Sequence, residues 1–345
     1  MASFTIVFAL LLTLSNVLFA LPHSSSSPAK SPIQTIYEFP NETWVENIAV
    51  RSSGQLLVTI VTTPDLYQVD PFSSSPATLV HRFPHATSAT GIAEVQPDVF
   101  VVVVGNWSST TFTTTNGSYS VWKVDLRPFE LRKNGITTKA AVSKIADIPE
   151  ASFLNGLTLL APLSPYLLTS DSGLGVVWRV NYLTGEYKIV LDNALFKPVP
   201  GQIALGINGI RTRDSSAYFT NSFQGLFGRV PISSVGTATG PYEVIAYNGA
   251  GDDFAFDREG NAYIAQDPGD ALEQVTPEGK VTVLAGNVNE TVLEGDTSAA
   301  FGRTWKDFET LYVTTNGGIS GAVAGTSIVG GKVLAVDVLA LLAQH

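Results

Sequence analysis

The sequence predicts an all-β protein, a six-bladed β-propeller with four-stranded antiparallel blades. Three observations lead there. First, six strand endings resemble one another: Leu66-Tyr67-Gln68-Val69-Asp70, Val121-Trp122-Lys123-Val124-Asp125, Val177-Trp178-Arg179-Val180-Asn181, Leu226-Phe227-Gly228-Arg229-Val230, Ala271-Leu272-Glu273-Gln274-Val275 and Val333-Leu334-Ala335-Val336-Asp337. Their central valines recur every 45 to 61 residues, the length of one propeller blade. Second, short apolar runs bounded by turn residues fill the chain, and no long helical periodicity interrupts them. Third, one polar residue stands at an equivalent place before the inner strand of nearly every repeat. A β-sandwich also has many short strands, but it does not call for six similar endings.

In chain order, residues 1–20 form an apolar run with small residues and no charge, followed by four serines, Ser24 to Ser27. This predicts a signal peptide over 1–20, a flexible Ser/Pro-rich leader over 21–32, and a single propeller domain over 33–345. Secretion, or residence in the secretory lumen, follows, with no membrane contact once the signal is cleaved. Four sequons fit export, at Asn41, Asn106, Asn116 and Asn289. Strand Ile33–Phe39 is expected to complete the last blade and close the circle. The runs Leu56–Val61, Val99–Val104, Tyr166–Thr169, Ala217–Thr220, Ala262–Ala265 and Leu311–Thr314 supply one strand to each blade. Segments 105–118, 196–206 and 286–304 read as insertions, and loops of this kind carry function in propellers.

Composition excludes several roles. Hydrophobic residues make up 45% of the chain, which is too apolar for disorder. The formal net charge is -10, so nucleic acid and anionic membrane surfaces are poor partners. With no cysteine, a thiol nucleophile and a cysteine metal site are impossible, and a closed ring needs no disulfide. No phosphate-loop, dinucleotide or nucleophile-elbow pattern occurs. His81 and His85 read as surface-loop residues.

The residues before the inner strands are Glu46-Asn47, Thr90-Gly91, Asn155-Gly156, Asn208-Gly209, Asp252-Asp253 and Thr297-Ser298. Equivalent positions in a ring converge on its axis, so Glu46, Asn155, Asn208 and Asp252 are expected to meet. Two carboxylates and two amide oxygens make a hard-oxygen site for a divalent cation, Ca²⁺ or Mg²⁺, with Mn²⁺ or Zn²⁺ also accommodated. Taken singly, each Asn-Gly reads as an ordinary turn. Asp253 reads as a surface neighbour or a further ligand.

At these positions the chain resembles the senescence-marker-protein/gluconolactonase/luciferin-regenerating superfamily, six-bladed propellers related to strictosidine synthases. The resemblance covers most of residues 40–340 and includes Asp257-Arg258-Glu259-Gly260-Asn261-Ala262-Tyr263-Ile264-Ala265 after Asp252. It implies a divalent cation, Ca²⁺ first, held by Glu46, Asn208 and Asp252. Asp252 would also be the catalytic proton acceptor, and Asn155 would orient the substrate. The sugar-lactone members carry an arginine beside the middle-blade asparagine, which is absent from Ala151-Ser152-Phe153-Leu154-Asn155-Gly156-Leu157. The aromatic residues Trp44, Trp107, Phe153, Phe223, Tyr247 and Trp305 suit a flatter, more apolar small molecule, although each alone reads as blade packing. The implied activity is metal-assisted hydrolysis of a lactone or ester. The chain is also similar to secreted fungal members of the superfamily, some of which couple a tropolone-type quinone methide to a sesquiterpene by a hetero-Diels–Alder reaction. A non-catalytic ligand-binding propeller is the third reading.

Overall fold

The computed structural model describes residues 31–132, 135–323 and 325–344. The expected signal peptide and nearly all of the expected leader lie outside the described residues. Each repeat folds into one four-stranded antiparallel sheet. Blade one is Val45–Val50, Leu56–Ile60, Asp65–Val69 and Thr78–Arg82. Blade two is Ser88–Gln96, Val99–Gly105, Ser120–Asp125 and Ala141–Asp147. Blade three is Leu154–Leu159, Tyr166–Asp171, Val176–Asn181 and Tyr187–Asp192. Blade four is Ile207–Arg213, Ser216–Asn221, Leu226–Pro231 and Glu243–Tyr247. Blade five is Gly251–Phe256, Ala262–Gln266, Ala271–Val275 and Val281–Gly286. Blade six takes Asp296–Phe301, Thr310–Thr315 and Lys332–Asp337 from the end of the chain and its outer strand, Ile33–Glu38, from the beginning. The six recurring valines each lie in a third strand.

Neither face of a blade is buried by the blade itself. The hydrophobic clusters therefore sit between neighbours: Phe100 and Val102 pack with Leu57 and Leu66, Val101 and Val103 with Leu154 and Leu157, and Leu168 with Ile210 and Phe219. Phe227 packs with Phe254, Leu272 with Leu311, and Val58 with Tyr312, which brings the sixth blade onto the first. The interval 286–304 departs from its reading as an insertion, because Asp296–Phe301 within it is the inner strand of blade six. Its start, Asp296-Thr297-Ser298, lacks large apolar residues because little room remains at the axis. Among the described residues no helix is long and apolar enough to cross a membrane. His81 lies on the outer strand of blade one against Phe83.

Every inner strand carries a β-bulge at the same height. Its register with the second strand shifts between Val45 and Asn47, Ala89 and Ile92, Leu154 and Leu157, Ile207 and Ile210, Gly251 and Phe254, and Asp296 and Ser298. The bulged residues are the polar positions picked out by the repeat. A bulge releases a residue from the ladder and re-aims its side chain. It also frees carbonyls, which the adjoining blade satisfies: Thr59 Oγ1 donates to the Thr90 carbonyl (2.6 Å), Thr90 Oγ1 to Leu154 (3.0 Å), Ser172 Oγ to Ile207 (2.7 Å), Ser222 Oγ to Gly251 (2.8 Å) and Thr297 Oγ1 to Val45 (2.7 Å). Between blades five and six the polarity reverses, and Asp296 Oδ2 accepts from the Gln266 N–H (3.1 Å).

The Asn-Gly pairs are therefore bulged strand and not turns. A Cβ on Gly156 would lie 2.7 Å from the Asn208 carbonyl oxygen, and one on Gly209 would lie 2.7 Å from that of Asp252. These glycines let the next inner strand approach.

Asp253 is neither a surface residue nor part of the cavity lining. It is buried, and its Oδ2 accepts from Asn47 Nδ2 of blade one (2.8 Å) and pairs with Arg211 Nη2 of blade four (2.8 Å). Ser298 of blade six in turn donates to Asn47 Oδ1 (3.3 Å). This polar plug ties four blades across the axis. Removing one member of such a pair strands the other charge in a poorly hydrated interior. Asp253→Ala is expected to cost about 3–5 kcal/mol, read as a lowered midpoint in thermal or urea unfolding. An unchanged midpoint would contradict the plug's role.

Candidate functional site

Above the plug, a cavity of about 630 Å³ opens on the axis. Four of the six bulges line it, through Glu46, Asn155, Asn208 and Asp252. The other two hold the ring: Thr90 bonds to Leu154, and Thr297 to Val45 and Thr314. The polar set also includes Asp267, Ser222 and Ser320. Asn208 Nδ2 donates to Ser222 Oγ (3.0 Å), which fixes the amide orientation, and Asn208 Oδ1 is enclosed without a donor.

Aromatic and aliphatic groups form the upper wall. Trp44, Trp107 and Phe112 make a chain of edge-to-face contacts, with centroids 5.4 Å and then 5.7 Å apart. The small hairpin Trp107–Ser108/Thr113–Thr114, part of the expected insertion, carries two of these rings. Thr87 Oγ1 fastens it by bonding both the N–H and the carbonyl of Trp107, each at 3.0 Å. Phe153, Phe223 and residues 203–205 complete the wall. The 196–206 insertion is anchored by Asn221 Nδ2, which donates to the carbonyls of Leu195 (2.9 Å) and Lys197 (3.1 Å).

Two expected pocket residues lie elsewhere. Tyr247 ends the outermost strand of blade four and is 75% exposed. Trp305 is 83% exposed in the turn between the first two strands of blade six, a turn that comes at the opposite end of the inner strand from the bulge. Of the sequons, Asn41, Asn116 and Asn289 are exposed, while Asn106 is half-buried with its Oδ1 enclosed.

Asp267, Ser222 and Phe112 were not singled out from the sequence. Ser222 and Asp267 follow the second strands of blades four and five. Aligning the repeats on that strand, as well as on the inner one, brings both into view.

The carboxyl groups crowd one another away from water. Burial, then the charge of Asp267 and more weakly that of Asp253, pushes Glu46 up to about 8 against a partial counter-effect of Trp44. Burial followed by Glu46, Asp267, Asp253 and Asp296 holds Asp252 well above its ordinary value. Burial raises Asp267 to about 7 despite hydrogen bonds from Ser320 and Asn316. Such groups call for neutralisation, by protons or by a cation.

The residues fit the expected divalent ion in type. Two mutually repelling carboxyls stand with the Asn208 oxygen, which lacks a donor. Among the described residues no group of three or more His, Cys, Asp or Glu side chains gathers as a metal cluster, so such an ion would rely on amide oxygens.

Because Glu46 ionises less readily folded than unfolded, its contribution to stability is complete below its ordinary value of 4.5 and is lost as pH rises through about 8. The chelated protein's melting temperature should therefore fall between pH 4.5 and about 8. Glu46→Gln should flatten that fall, and excess Ca²⁺ should counter it if the ion binds. A flat or rising profile would contradict the raised values.

No protein-family model matches the sequence. The chain is 31% identical over 324 residues to a putative hetero-Diels-Alderase from Phoma sp, covering 86% of this chain and 90% of that protein. It is 29% identical over 329 residues to a putative hetero-Diels-Alderase of Sarocladium schorii, covering 84% and 79%. In structure it is similar to a luciferin-regenerating enzyme, with a TM-score of 0.62 at 16% identity over 88% of this chain and 94% of that one. A calcium-binding regucalcin from Agrobacterium tumefaciens superposes with a TM-score of 0.58 at 16% identity, with the same coverage. At these identities the structural likeness shows the fold.

Proposed function

The chain belongs to the family of the putative hetero-Diels-Alderases and has a six-bladed propeller fold related to the gluconolactonase/luciferin-regenerating superfamily, and from that premise we propose that its axial cavity pairs a carbonyl-bearing heterodiene with an electron-rich alkene. The observation that carries this reading is an aromatic wall standing over buried carboxyl groups whose ionisation is opposed by burial and by one another. In this cycloaddition one C–C and one C–O bond form, and no leaving group, oxidant or base is required. The protein's task is to hold two molecules together and to stabilise charge gathering on the heterodiene oxygen.

The residues divide between those tasks. Trp44, Trp107, Phe112 and Phe153 offer faces and edges to the apolar partner. The carboxyl O–H groups of Glu46 and Asp252 and the Asn155 amide donate hydrogen bonds to the oxygen of the heterodiene. A divalent ion held by Glu46, Asn208 and Asp252 would take the place of those protons, the two carboxyls then being ionised, and would supply Lewis-acid polarisation of that same oxygen. A cavity of about 630 Å³ is in the range of small-molecule sites and has room for two compact reactants.

The lactone-hydrolase expectation receives less support. It asks the Asp252 carboxylate to take a proton from water, whereas burial and the neighbouring acids disfavour its ionised form.

The test couples an o-quinone-methide precursor to an electron-rich alkene and follows rate and enantiomeric excess by chiral chromatography. The protein is expected to give one stereoisomer faster than buffer. Asp252→Ala should slow coupling roughly 100- to 1,000-fold, the scale of losing one transition-state hydrogen-bond donor. The rate should fall as pH rises through about 8, where Glu46 loses its proton. A racemic product at the buffer rate, with turnover of aliphatic lactones instead, would overturn the assignment in favour of hydrolysis.

A further inference from the structure

Trp305, which does not contribute to the axial cavity, belongs to a second cleft of about 610 Å³ on the opposite end of the propeller. The cleft lies between blades one and six, and its sides are two aromatic rings, Trp305 and the half-exposed Phe72. Neither exposure results from a loose loop. The Trp305 turn is built on Asp307, which is buried: its Oδ1 accepts from the N–H (2.8 Å) and hydroxyl (2.6 Å) of Thr304, and its Oδ2 from the Tyr312 hydroxyl (3.0 Å). Phe72 is seated over Gly54, where a Cβ would lie 2.6 Å from its ring. Its N–H donates to Asp70 Oδ1 (3.0 Å). The Lys306 ammonium stands 5.2 Å from the Phe72 centroid and 5.6 Å from that of Trp305, linking the two rings.

We propose that this cleft is a carbohydrate site that takes a glucopyranose ring against Trp305. The chemistry of the lining selects that class. An equatorially substituted pyranose presents C–H groups on both faces and hydroxyls around its edge. The C–H face matches the electron-rich face of an exposed indole. The edge matches Ser52, Ser53, Gln55 and Asp70, which bring hydroxyl, amide and carboxylate groups to the same cleft. Ser53 donates to Gln55 and Asp70 accepts from the Phe72 N–H, and these hydroxyl, amide and carboxylate groups keep further donor and acceptor capacity for the hydroxyls of a sugar. The single acid and single base of the cleft, Asp70 and Lys306, balance, which favours a neutral ligand. The site is distinct from the axial cavity, with which it shares no lining residue.

Affinity electrophoresis of the full chain in gels containing laminarin or hydroxyethyl cellulose tests this, with calorimetric titration of laminarihexaose and cellohexaose as the quantitative measure. Retardation in at least one gel is expected. Trp305→Ala should weaken binding by up to roughly 10-fold, the scale of losing one stacked ring. Trp305→Tyr should retain most of the binding, and Trp107→Ala, in the axial cavity, should leave it unchanged. Melting temperatures of the Trp305 variants should match the parent, since the ring is solvent-exposed. No retardation in either gel and no heat with either oligosaccharide would overturn the proposal. So would retardation undiminished by Trp305→Ala.

Discussion

Six strands have to lie side by side around one axis, and the space there is too narrow for six regular strands with full side chains. The chain meets this constraint with one bulge per inner strand at a common height. Bulging costs ladder hydrogen bonds, and hydroxyls of the neighbouring blades replace them at the freed carbonyls. Glycine follows the bulged residue in blades two, three and four because the next inner strand presses against it. The same irregularity releases a ring of polar side chains toward the axis. Ring closure and the polar part of the cavity thus have a single structural origin.

Adjacent residues in one bulge then take opposite duties. Asp253 points to Arg211, which pairs with its charge, and to Asn47, which donates a hydrogen bond to it. Asp252 lines the cavity with Glu46 and Asp267 nearby, and burial and mutual repulsion resist its ionisation. One aspartate ties the blades, and the other is left with a chemical demand that a proton, an ion or a substrate oxygen can meet. The apolar and aromatic wall above these acids suits a reaction that depends on holding two partners together and away from water.

Much of this was legible in the sequence. Six valine-centred endings located the third strands, and Ile33–Glu38 closes the ring as its pattern suggested. Glu46, Asn155, Asn208 and Asp252 were identifiable because repetition makes equivalent positions comparable even where each residue alone is ambiguous. What repetition does not encode was missed. Asn-Gly looks like a turn until the pressure of the neighbouring strand is known. Tyr247 and Trp305 are aromatic like the true wall residues, but which end of a strand, and which strand of a blade, a side chain occupies is a matter of topology. Asp267 reaches the cavity from the exit of a second strand, a position that comparing inner strands alone does not bring together, and Phe112 from a hairpin where the repeats diverge in length.

The most direct test of the central claim is a crystal structure of the protein soaked with the purified cycloadduct. The adduct is expected in the axial cavity, its ring oxygen toward Glu46, Asn155 and Asp252 and its hydrocarbon part against Trp44, Trp107 and Phe112. An adduct bound outside that cavity, or one lying with its oxygen toward the aromatic wall, would contradict the claim.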